Sequence, residues 1–211
     1  ALSGDGADEL LGGYNKYAAF FRSLHPGMPE HLVTALKPVW SILPKSRHAP
    51  FANRFRQLNR YAQGATLSSR DRYWRWASFA NDREASRLIR KEWMTDSQVA
   101  IRRNEWLGTL PDKESINDIL LTDMRLVLPN DMLTKVDRMS MAHALEVRNP
   151  FLDVEVVNFL FTLPDHFKVD GKMRKKLLQD SFREMLPAEL YNRPKKGFEV
   201  PLTHWLKTGL W

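Results

Sequence analysis

The spacing of apolar residues along the chain predicts helices in most segments and strands in very few. Within residues 112–128, Ile116, Ile119 and Leu120 recur at helical intervals, which predicts an amphipathic helix with one buried face. Pro129 is expected to end or kink this helix, because proline lacks the N–H that the helical ladder needs. Asn130 is then expected to cap a new helix.

The segment after Pro129 carries a stripe of side chains that favours a buried helix face. Within residues 131–146 they lie at positions i, i+4, i+7 and i+11, as Met132, Val136, Met139 and His143. A methionine stripe at this spacing is more typical of a hydrophobic core than of a cofactor site. We therefore expect it to pack inward.

Prolines and glycines divide the rest of the chain. Residues 20–110 are predicted to form a run of helices with breaks at prolines. Residues 147–153 should be extended ahead of Pro150, because a residue before proline avoids the helical region, and a short helix is expected at 154–161. Residues 169–186 are predicted to form another helix, with most of the basic side chains on its outer face.

The first residues are expected to contain the end of a short strand, a glycine turn and a helix. The strand would cover Ala1 to Ser3, and the helix would begin near Ala7. Fewer than about a tenth of the residues have a strand pattern. As an isolated unit the chain is therefore expected to be mainly α.

Composition narrows the class of protein. A chain of 211 residues, 43% of them hydrophobic, can bury a core, and it has no apolar run long enough for a membrane span. It has no cysteine, which excludes disulfides and thiolate ligands and fits a reducing cytosol. The formal net charge of +7 raises nucleic acid as a partner. The basic residues are scattered, however, and a solvated helix surface or a phosphate-bearing small substrate explains the charge more simply.

The opening turn, SGDGADE at residues 3–9, places three carboxylates among glycines. Backbone N–H groups of Gly4 and Gly6 could cradle a phosphate, but Asp5 and Asp8 would repel a bare anion. A divalent cation resolves this conflict, because Mg²⁺ is usually held by one or two carboxylates together with substrate phosphates. Helix capping by either aspartate explains the same pattern, so spacing alone leaves both interpretations open.

A second polar cluster lies near the end of the chain. Residues 193–201, RPKKGFEVP, place three cations before a glycine, in a loop that contains two prolines. Lys195 or Lys196 could contact phosphate oxygens or a developing negative charge from such a loop. A flexible basic surface loop fits the same residues, so this segment is ambiguous when it is taken alone.

Three separated motifs together resemble a known family. LSGDGADELLGGYNKY at residues 2–17, LPNDMLTKVDRMSMAHALEVRNPFLD at residues 128–153 and RPKKGFEVPL at residues 193–202 resemble the synthetase domain of glutamine-hydrolysing asparagine synthetases, in order and in spacing. The likeness runs the length of the chain and is loosest over residues 20–110.

The resemblance implies a reaction in two steps. The side-chain carboxylate of aspartate is adenylated by ATP in the presence of Mg²⁺, which releases pyrophosphate, and ammonia then displaces AMP to give asparagine. The ammonia would come from glutamine, hydrolysed by an N-terminal glutaminase domain. The substrates implied are therefore aspartate, ATP and glutamine or ammonia.

The resemblance also implies roles for residues in the opening turn. Ser3 and Gly4 match positions that contact ATP, and Gly6 belongs to the same phosphate-facing turn. Asp8 matches a metal-binding aspartate. Asp5 matches an acidic position that serves the formation and use of the acyl-adenylate, where a carboxylate can act as general base toward ammonia.

Residues outside the turn are matched as well. Lys195 matches a lysine that stabilises charge on the phosphate side. Glu146 and Arg148 match a family signature, for which we expect a structural role as a buried ion pair beneath the site.

Family members carry an S-G-G-x-D-S loop that grips pyrophosphate, and this sequence lacks it. The resemblance therefore implies that residues 1–211 are the C-terminal part of a synthetase domain of α/β adenine-nucleotide alpha-hydrolase-like fold, the PP-loop ATP pyrophosphatase type. Without the loop, the chain alone is expected not to make asparagine. We expect a cytoplasmic protein, and either a homodimer or a compact helical unit to cover apolar surface.

Two other interpretations stay open at this point. One is a relative that amidates or cyclises another carboxylate, such as a β-lactam synthetase or a cell-envelope amidotransferase. The other is a non-catalytic, basic helical module that binds nucleic acid or a partner helix, for which salt-dependent binding would be diagnostic.

Overall fold

The computed structural model describes residues 1–46, 49–93, 96–193 and 200–209. Within these ranges the chain is mainly helical, as its apolar spacing predicts. The α-helices are, in chain order, α1 Ala7–Leu11, α2 Asn15–Leu24, α3 Met28–Ala35, α4 Lys37–Ile42, α5 Pro50–Ala65, α6 Ser69–Ala77, α7 Asp82–Ser86, α8 Asp96–Leu107, α9 Ile116–Val127, α10 Thr134–Met141, α11 Val154–Thr162, α12 Lys176–Ser181 and α13 Leu202–Thr208. Short 3₁₀ segments lie at Lys91–Trp93, Pro150–Leu152, Asp165–Phe167 and Ala188–Leu190.

Strand pairing in the described ranges is limited to two isolated bridges. Leu2 pairs in parallel with Arg148, and Val169 pairs in antiparallel with Arg174. The first bridge fits the predicted strand end at residues 1–3, and it also fits the predicted extended segment before Pro150. No helix of the described chain combines the length and apolar character needed to cross a membrane.

The larger hydrophobic cluster lies where α2, α6 and α9 meet. Phe20 on α2 contacts Trp76 on α6 edge to face, with ring centroids 4.6 Å apart. Ile119 and Leu120 supply the buried face of α9, which confirms the amphipathic helix predicted there. A smaller cluster of Leu10, Leu11 and Leu160 joins α1 to α11. The helix that follows the opening turn is therefore anchored in the smaller cluster by two leucines.

The start of α9 is fixed by two separate caps. The Ser115 hydroxyl accepts the N–H of Asp118, and the Asp118 carboxylate accepts the N–H of Ser115 in return. The Asp165 carboxylate, 49 residues further along the chain, accepts the N–H of Ile116 at 2.8 Å. The first turn of α9 is thus held in place by a distant segment as well as by its own sequence.

The α-helix ends at Val127, just ahead of Pro129 as predicted, but the helical path does not stop there. A π-helical segment, Leu128–Leu133, continues α9 directly into α10. The wider π turn accommodates the proline ring and its missing N–H, which an α-helical turn cannot do without a kink. Asn130 therefore does not begin a helix, and its side-chain amide donates to the Leu126 carbonyl at 2.8 Å.

The inward packing predicted for the methionine stripe is also wrong. Met139 is 63% exposed, His143 is exposed, and Met132 and Val136 are only half-buried. Helical spacing determines which side chains share a face, but it does not determine what covers that face. The stripe is an exposed surface in the described structure.

The helix predicted from residue 169 starts later, at Lys176. The Asp170 carboxylate accepts the N–H groups of Lys172 and Met173 at 3.0 and 2.8 Å, and this local turn competes with helix formation. Lys175 then adopts a left-handed conformation, with φ of 51°. The short helix predicted after Pro150 is confirmed as α11.

Candidate active site

The opening turn is built around a hydrogen bond between its own side chains. The Ser3 hydroxyl donates to the Asp5 carboxylate at 2.7 Å, and its oxygen accepts the N–H of Asp5 at 3.3 Å. Both residues are half-buried, while Gly4 between them is exposed. The hydroxyl and carboxylate are thus held in a fixed relation and remain accessible from one side.

The turn is paired with the segment Glu146–Asp153 that follows α10. The Ser3 N–H donates to the Arg148 carbonyl, and the Arg148 N–H donates to the Ala1 carbonyl, both at 2.9 Å. Gly6 has φ of 88° and is buried against Leu152, so a Cβ at this position would lie 2.2 Å from the Leu152 Cδ2 atom. Two of the sequence motifs therefore meet in space, and Gly6 packs at their contact.

Asp8 forms an ion pair across the turn with Lys175. The Lys175 ammonium lies 2.9 Å from the Asp8 carboxylate, and the Lys175 N–H donates to the Leu11 carbonyl at 3.0 Å. Gly13 passes directly beside this pair, because a Cβ there would lie 1.7 Å from the Asp8 Oδ1 atom. The close approach of the backbone at Gly13 makes room for the ion pair.

A second cation lies near the same carboxylate. Burial lowers the pKa of the Arg174 guanidinium, and the negative charge of Asp8 opposes that effect. The Arg174 side chain donates to the Asn15 amide oxygen at the start of α2. Asp8 thus has positive charge on the side of the turn formed by residues 174–175.

A layer of buried polar groups lies beneath the turn. Glu9 is fully buried and accepts from the Tyr14 hydroxyl at 2.9 Å. Burial raises the pKa of Glu9, and the charges of Asp8 and Asp123 raise it further. Asp123 on α9 is fully buried as well and receives three donors, which are the Tyr17 hydroxyl, the Tyr73 hydroxyl and the Lys16 ammonium.

The turn can supply only part of the ligands that a Mg²⁺ ion needs, so a second molecule would have to supply the others. Among the described residues, no three acidic or histidine side chains come together closely enough to hold a metal ion by themselves. One carboxylate, such as that of Asp8, can be enough for Mg²⁺ when phosphate oxygens and water complete its shell. The residues present therefore fit a metal bound together with a phosphate-bearing ligand.

The predicted site residues fall into two groups. The turn presents Ser3, Gly4, Asp5, Gly6 and Asp8 on one short segment. Lys195 lies outside the described residues, so its predicted contact with phosphate stays a prediction.

Glu146 and Arg148 do form the expected ion pair, at 2.5 Å, but the expected burial is wrong. Their side chains are 69% and 76% exposed. The ion pairs near the turn that are better shielded from solvent are those of Asp8 with Lys175 and of Asp123 with Lys16.

Sequence reasoning missed Lys175 as a residue of the turn. It is one of four basic residues, Lys172, Arg174, Lys175 and Lys176. Their side chains were predicted to lie largely on the solvent-exposed face of a helix. The signal that could have distinguished it is Asp170-Gly171, a turn pattern that precedes the run and argues against a continuous helix.

The fold and the site together define a mainly helical domain. Its glycine turn carries carboxylates and lies beside two cations, Arg174 and Lys175. The family model described as asparagine synthase matches residues 1–210. The chain belongs to the asparagine synthase family.

Curated relatives agree with this assignment. The chain is 32% identical over its whole length to asparagine synthetase [glutamine-hydrolyzing] 1 of Bacillus subtilis, and covers 32% of that protein. It is 34% identical over 99% of its length to a putative asparagine synthetase [glutamine-hydrolyzing] of Mycobacterium tuberculosis, and covers 30% of that protein. An asparagine synthetase [glutamine-hydrolyzing] of Rattus norvegicus is 36% identical over 44% of the chain.

The chain thus spans about a third of the length of the relatives that it matches along its whole length. A comparison with solved structures found no match.

Proposed function

We propose that the chain is part of an enzyme that adenylates the side-chain carboxylate of aspartate and then transfers ammonia to it, forming asparagine, AMP and pyrophosphate. The observation that carries the proposal is the meeting of three distant segments at the opening turn. Residues 2–3 pair with Arg148, and Asp8 pairs with Lys175. Segments so far apart in sequence converge on carboxylates that stand beside cations.

The charges of this turn suit the first step. An oxygen of the aspartate side chain attacks the α-phosphorus of ATP, and the bond from that phosphorus to pyrophosphate breaks. Lys175 and Arg174 provide positive charge close to the turn, where phosphate oxygens would otherwise meet Asp5 and Asp8. Mg²⁺, when bound through Asp8 and the phosphates, would neutralise charge on the departing pyrophosphate.

In this proposal Asp5 serves the second step. The ammonia nitrogen attacks the activated acyl carbon, the bond from that carbon to the AMP oxygen breaks, and the nitrogen must lose a proton. The Asp5 carboxylate is half-buried and oriented by the Ser3 hydroxyl, which suits a general base that accepts this proton. Ser3, Gly4 and Gly6 would bind ATP along the turn, and Lys195 would stabilise charge on the phosphate side.

The remaining parts of the proposal concern the larger protein. They are a PP-loop-type α/β fold for the complete synthetase domain, a glutaminase domain that supplies ammonia from glutamine, and a cytoplasmic location. The family membership and the words "glutamine-hydrolyzing" in the names of the relatives support the first two. A homodimer is a further proposal, supported by exposed apolar side chains such as Met139 and Phe159.

The test uses a protein that contains this chain together with the upstream segments found in full-length relatives. We expect pyrophosphate release that requires both aspartate and MgATP. With aspartate labelled by ¹⁸O in its side-chain carboxylate, we expect one labelled oxygen in AMP, because the C–O bond breaks on the acyl side.

Variants then assign the residues. D5N and D8N should each lower pyrophosphate or asparagine formation by about two orders of magnitude or more, a typical loss for a positioned general base or metal ligand. D112N changes an exposed carboxylate elsewhere on the chain and should retain wild-type rates. Pyrophosphate release with a different carboxylic acid alone would overturn aspartate as substrate. Salt-dependent nucleic-acid binding without any such release would favour the binding module.

A further inference from the structure

The buried carboxylate of Asp123 ties three helices together beneath the opening turn. It lies on α9 and is fully buried. Tyr17 and Lys16 reach it from α2, the latter at 2.6 Å, and Tyr73 reaches it from α6 at 2.5 Å. Each of its donors is a side chain, so the geometry of the group depends on how the helices are placed.

Stability alone does not explain why an ion pair lies at this position. Removing a carboxylate and an ammonium from water is costly, and an apolar pair of the same volume is often equally stable or more stable. A buried ion pair does, however, fix geometry, because either partner left alone is strongly unfavourable. The pair of Lys16 and Asp123 therefore points to a requirement for precise placement.

The element that this pair places is the turn itself. Lys16 and Tyr17 lie in the first turn of α2, which starts at Asn15, and Gly12 and Gly13 follow α1 shortly before it. The Gly13 N–H donates to the Asp8 carbonyl at 2.8 Å, and a Cβ on Gly13 would overlap the Asp8 carboxylate. Gly13 thus lies in direct contact with Asp8 shortly before α2 begins, which gives a route by which the position of α2 can affect Asp8.

Electrostatics reinforces the connection. Glu9, on the same short helix as Asp8, is a second fully buried carboxylate. The Lys16 ammonium lies over the rings of Tyr14 and Tyr17, 5.7 and 5.4 Å from their centroids. Tyr14 in turn donates to Glu9. The Lys16 ammonium therefore contacts Asp123 directly and lies over Tyr14, the residue that donates to Glu9.

We propose that Lys16 and Asp123 are positioning residues for the metal-binding turn, and that their ion pair sets how α1 presents Asp8 to Mg²⁺ and ATP. The proposal rests on the proposed function. It adds two residues that touch neither substrate nor metal and act through α2 and Gly13.

The chain offers a matched control. Arg72 and Glu114 also form a buried ion pair, at 2.8 Å, with side chains 14% and 3% exposed. The corresponding values for Lys16 and Asp123 are 19% and 0%. The Arg72 pair joins α6 to the segment before α9, so it resembles the Lys16 pair in burial and chemistry but not in its connection to the turn.

The experiment compares K16M with R72M in the same longer protein that tests the function. Mn²⁺ binding is measured by electron paramagnetic resonance with a non-hydrolysable ATP analogue, and the Mg²⁺ dependence of pyrophosphate release is measured in parallel. Residues that orient a metal ligand typically change metal affinity by about 10- to 100-fold. We expect K16M to weaken Mn²⁺ binding by about tenfold or more, and R72M to change it by less than about twofold.

Two further variants keep the result interpretable. K16R retains the cation and should keep Mn²⁺ affinity within about threefold of wild type, whereas D123N should weaken it as K16M does. Thermal unfolding is recorded for every variant to separate loss of fold from loss of placement. Equal weakening by K16M and R72M, or equal weakening by K16M and K16R, would overturn the proposal.

Failure of the proposed function would give a different experimental result. A wild-type protein without aspartate- and ATP-dependent pyrophosphate release would refute the function. A wild-type protein that is active, and whose Mn²⁺ affinity K16M leaves unchanged, would refute only the positioning role.

Discussion

At the scale of single residues, the glycines of the opening turn differ in what they are needed for. Gly6 has a positive φ and packs against Leu152, so both backbone conformation and space restrict it. Gly4 has no atom within 4 Å of the position its Cβ would take. Identical residues two positions apart are therefore under different constraints, one from the fold and one, in our proposal, from ATP.

Substituting alanine at each position separates these constraints. G6A should lower the free energy of unfolding by about 2–4 kcal/mol, because a left-handed conformation and a collision with Leu152 both oppose the new methyl group. G4A should change it by less than about 0.5 kcal/mol but raise the KM for MgATP. Urea denaturation and steady-state kinetics distinguish the two, and a large destabilisation by G4A would contradict the open space seen there.

Lys168 is a second residue whose environment makes a prediction. It is fully buried, donates to the Asn117 amide oxygen at 2.5 Å, and lies 4.6 Å from the centroid of the Phe161 ring. Burial lowers its pKa to about 8, while the charge of Asp165 partly opposes the shift. Between pH 8 and the ordinary lysine pKa near 10.4, the unfolded chain binds a proton that the folded chain does not.

Stability should therefore rise with pH through this window. Relative to K168M, the wild-type free energy of unfolding should gain up to about 2 kcal/mol between pH 7.5 and 9.5. Urea denaturation of both proteins at the two pH values measures the difference, in which the titration of shared tyrosines cancels. A constant difference, or one that falls with pH, would show that Lys168 stays charged in the folded state.

At the scale of secondary structure, apolar periodicity identified α9, because that helix buries one face and starts at an ordinary capping signal. The sequence did not predict the π-helical continuation at Pro129 or the turn at residues 169–175. In the first case a π-helical segment absorbs the proline, and in the second the Asp170 carboxylate captures backbone N–H groups before a helix can start. Both failures come from local hydrogen bonding that apolar spacing does not report.

The two caps of α9 give a prediction at this scale. S115A should cost about 1 kcal/mol, a typical loss for a removed N-cap. D165A should cost more, about 1–3 kcal/mol, because it leaves the N–H groups of Ile116 and Asn117 without their acceptor. Thermal unfolding of each variant tests the order, and D165N, which keeps one acceptor oxygen, should fall between wild type and D165A.

At the scale of the whole molecule, the sequence predicted the acidic turn but not its neighbours. The alternation of glycines and carboxylates singled out Asp5 and Asp8 but left helix capping equally possible, and the resemblance to the family supplied their roles and that of Ser3. Lys175 and Asp123 could not be identified, since their relation to the turn depends on packing between segments more than 100 residues apart. Residue type and spacing reveal chemistry that is local in sequence, and the fold supplies the rest.

The same scale carries a prediction for residues 1–211 as an isolated protein. The chain spans about a third of its relatives and lacks the S-G-G-x-D-S loop, so we expect no aspartate-dependent release of pyrophosphate from ATP. Addition of the upstream segments should restore it. A malachite-green assay with pyrophosphatase, run on both proteins at equal concentration, measures the difference, and turnover by residues 1–211 alone would contradict the expectation.

The pairing of Leu2 with Arg148 and of Asp8 with Lys175 has a consequence for biosynthesis. A ribosome that adds about 5–20 residues per second needs roughly 10–30 seconds to pass from the opening turn to Lys175. During that interval the nascent turn carries its carboxylates without the cation that later faces them. Loop closure over such separations is slow compared with helix formation, so the contacts of the opening turn should form after the helices themselves.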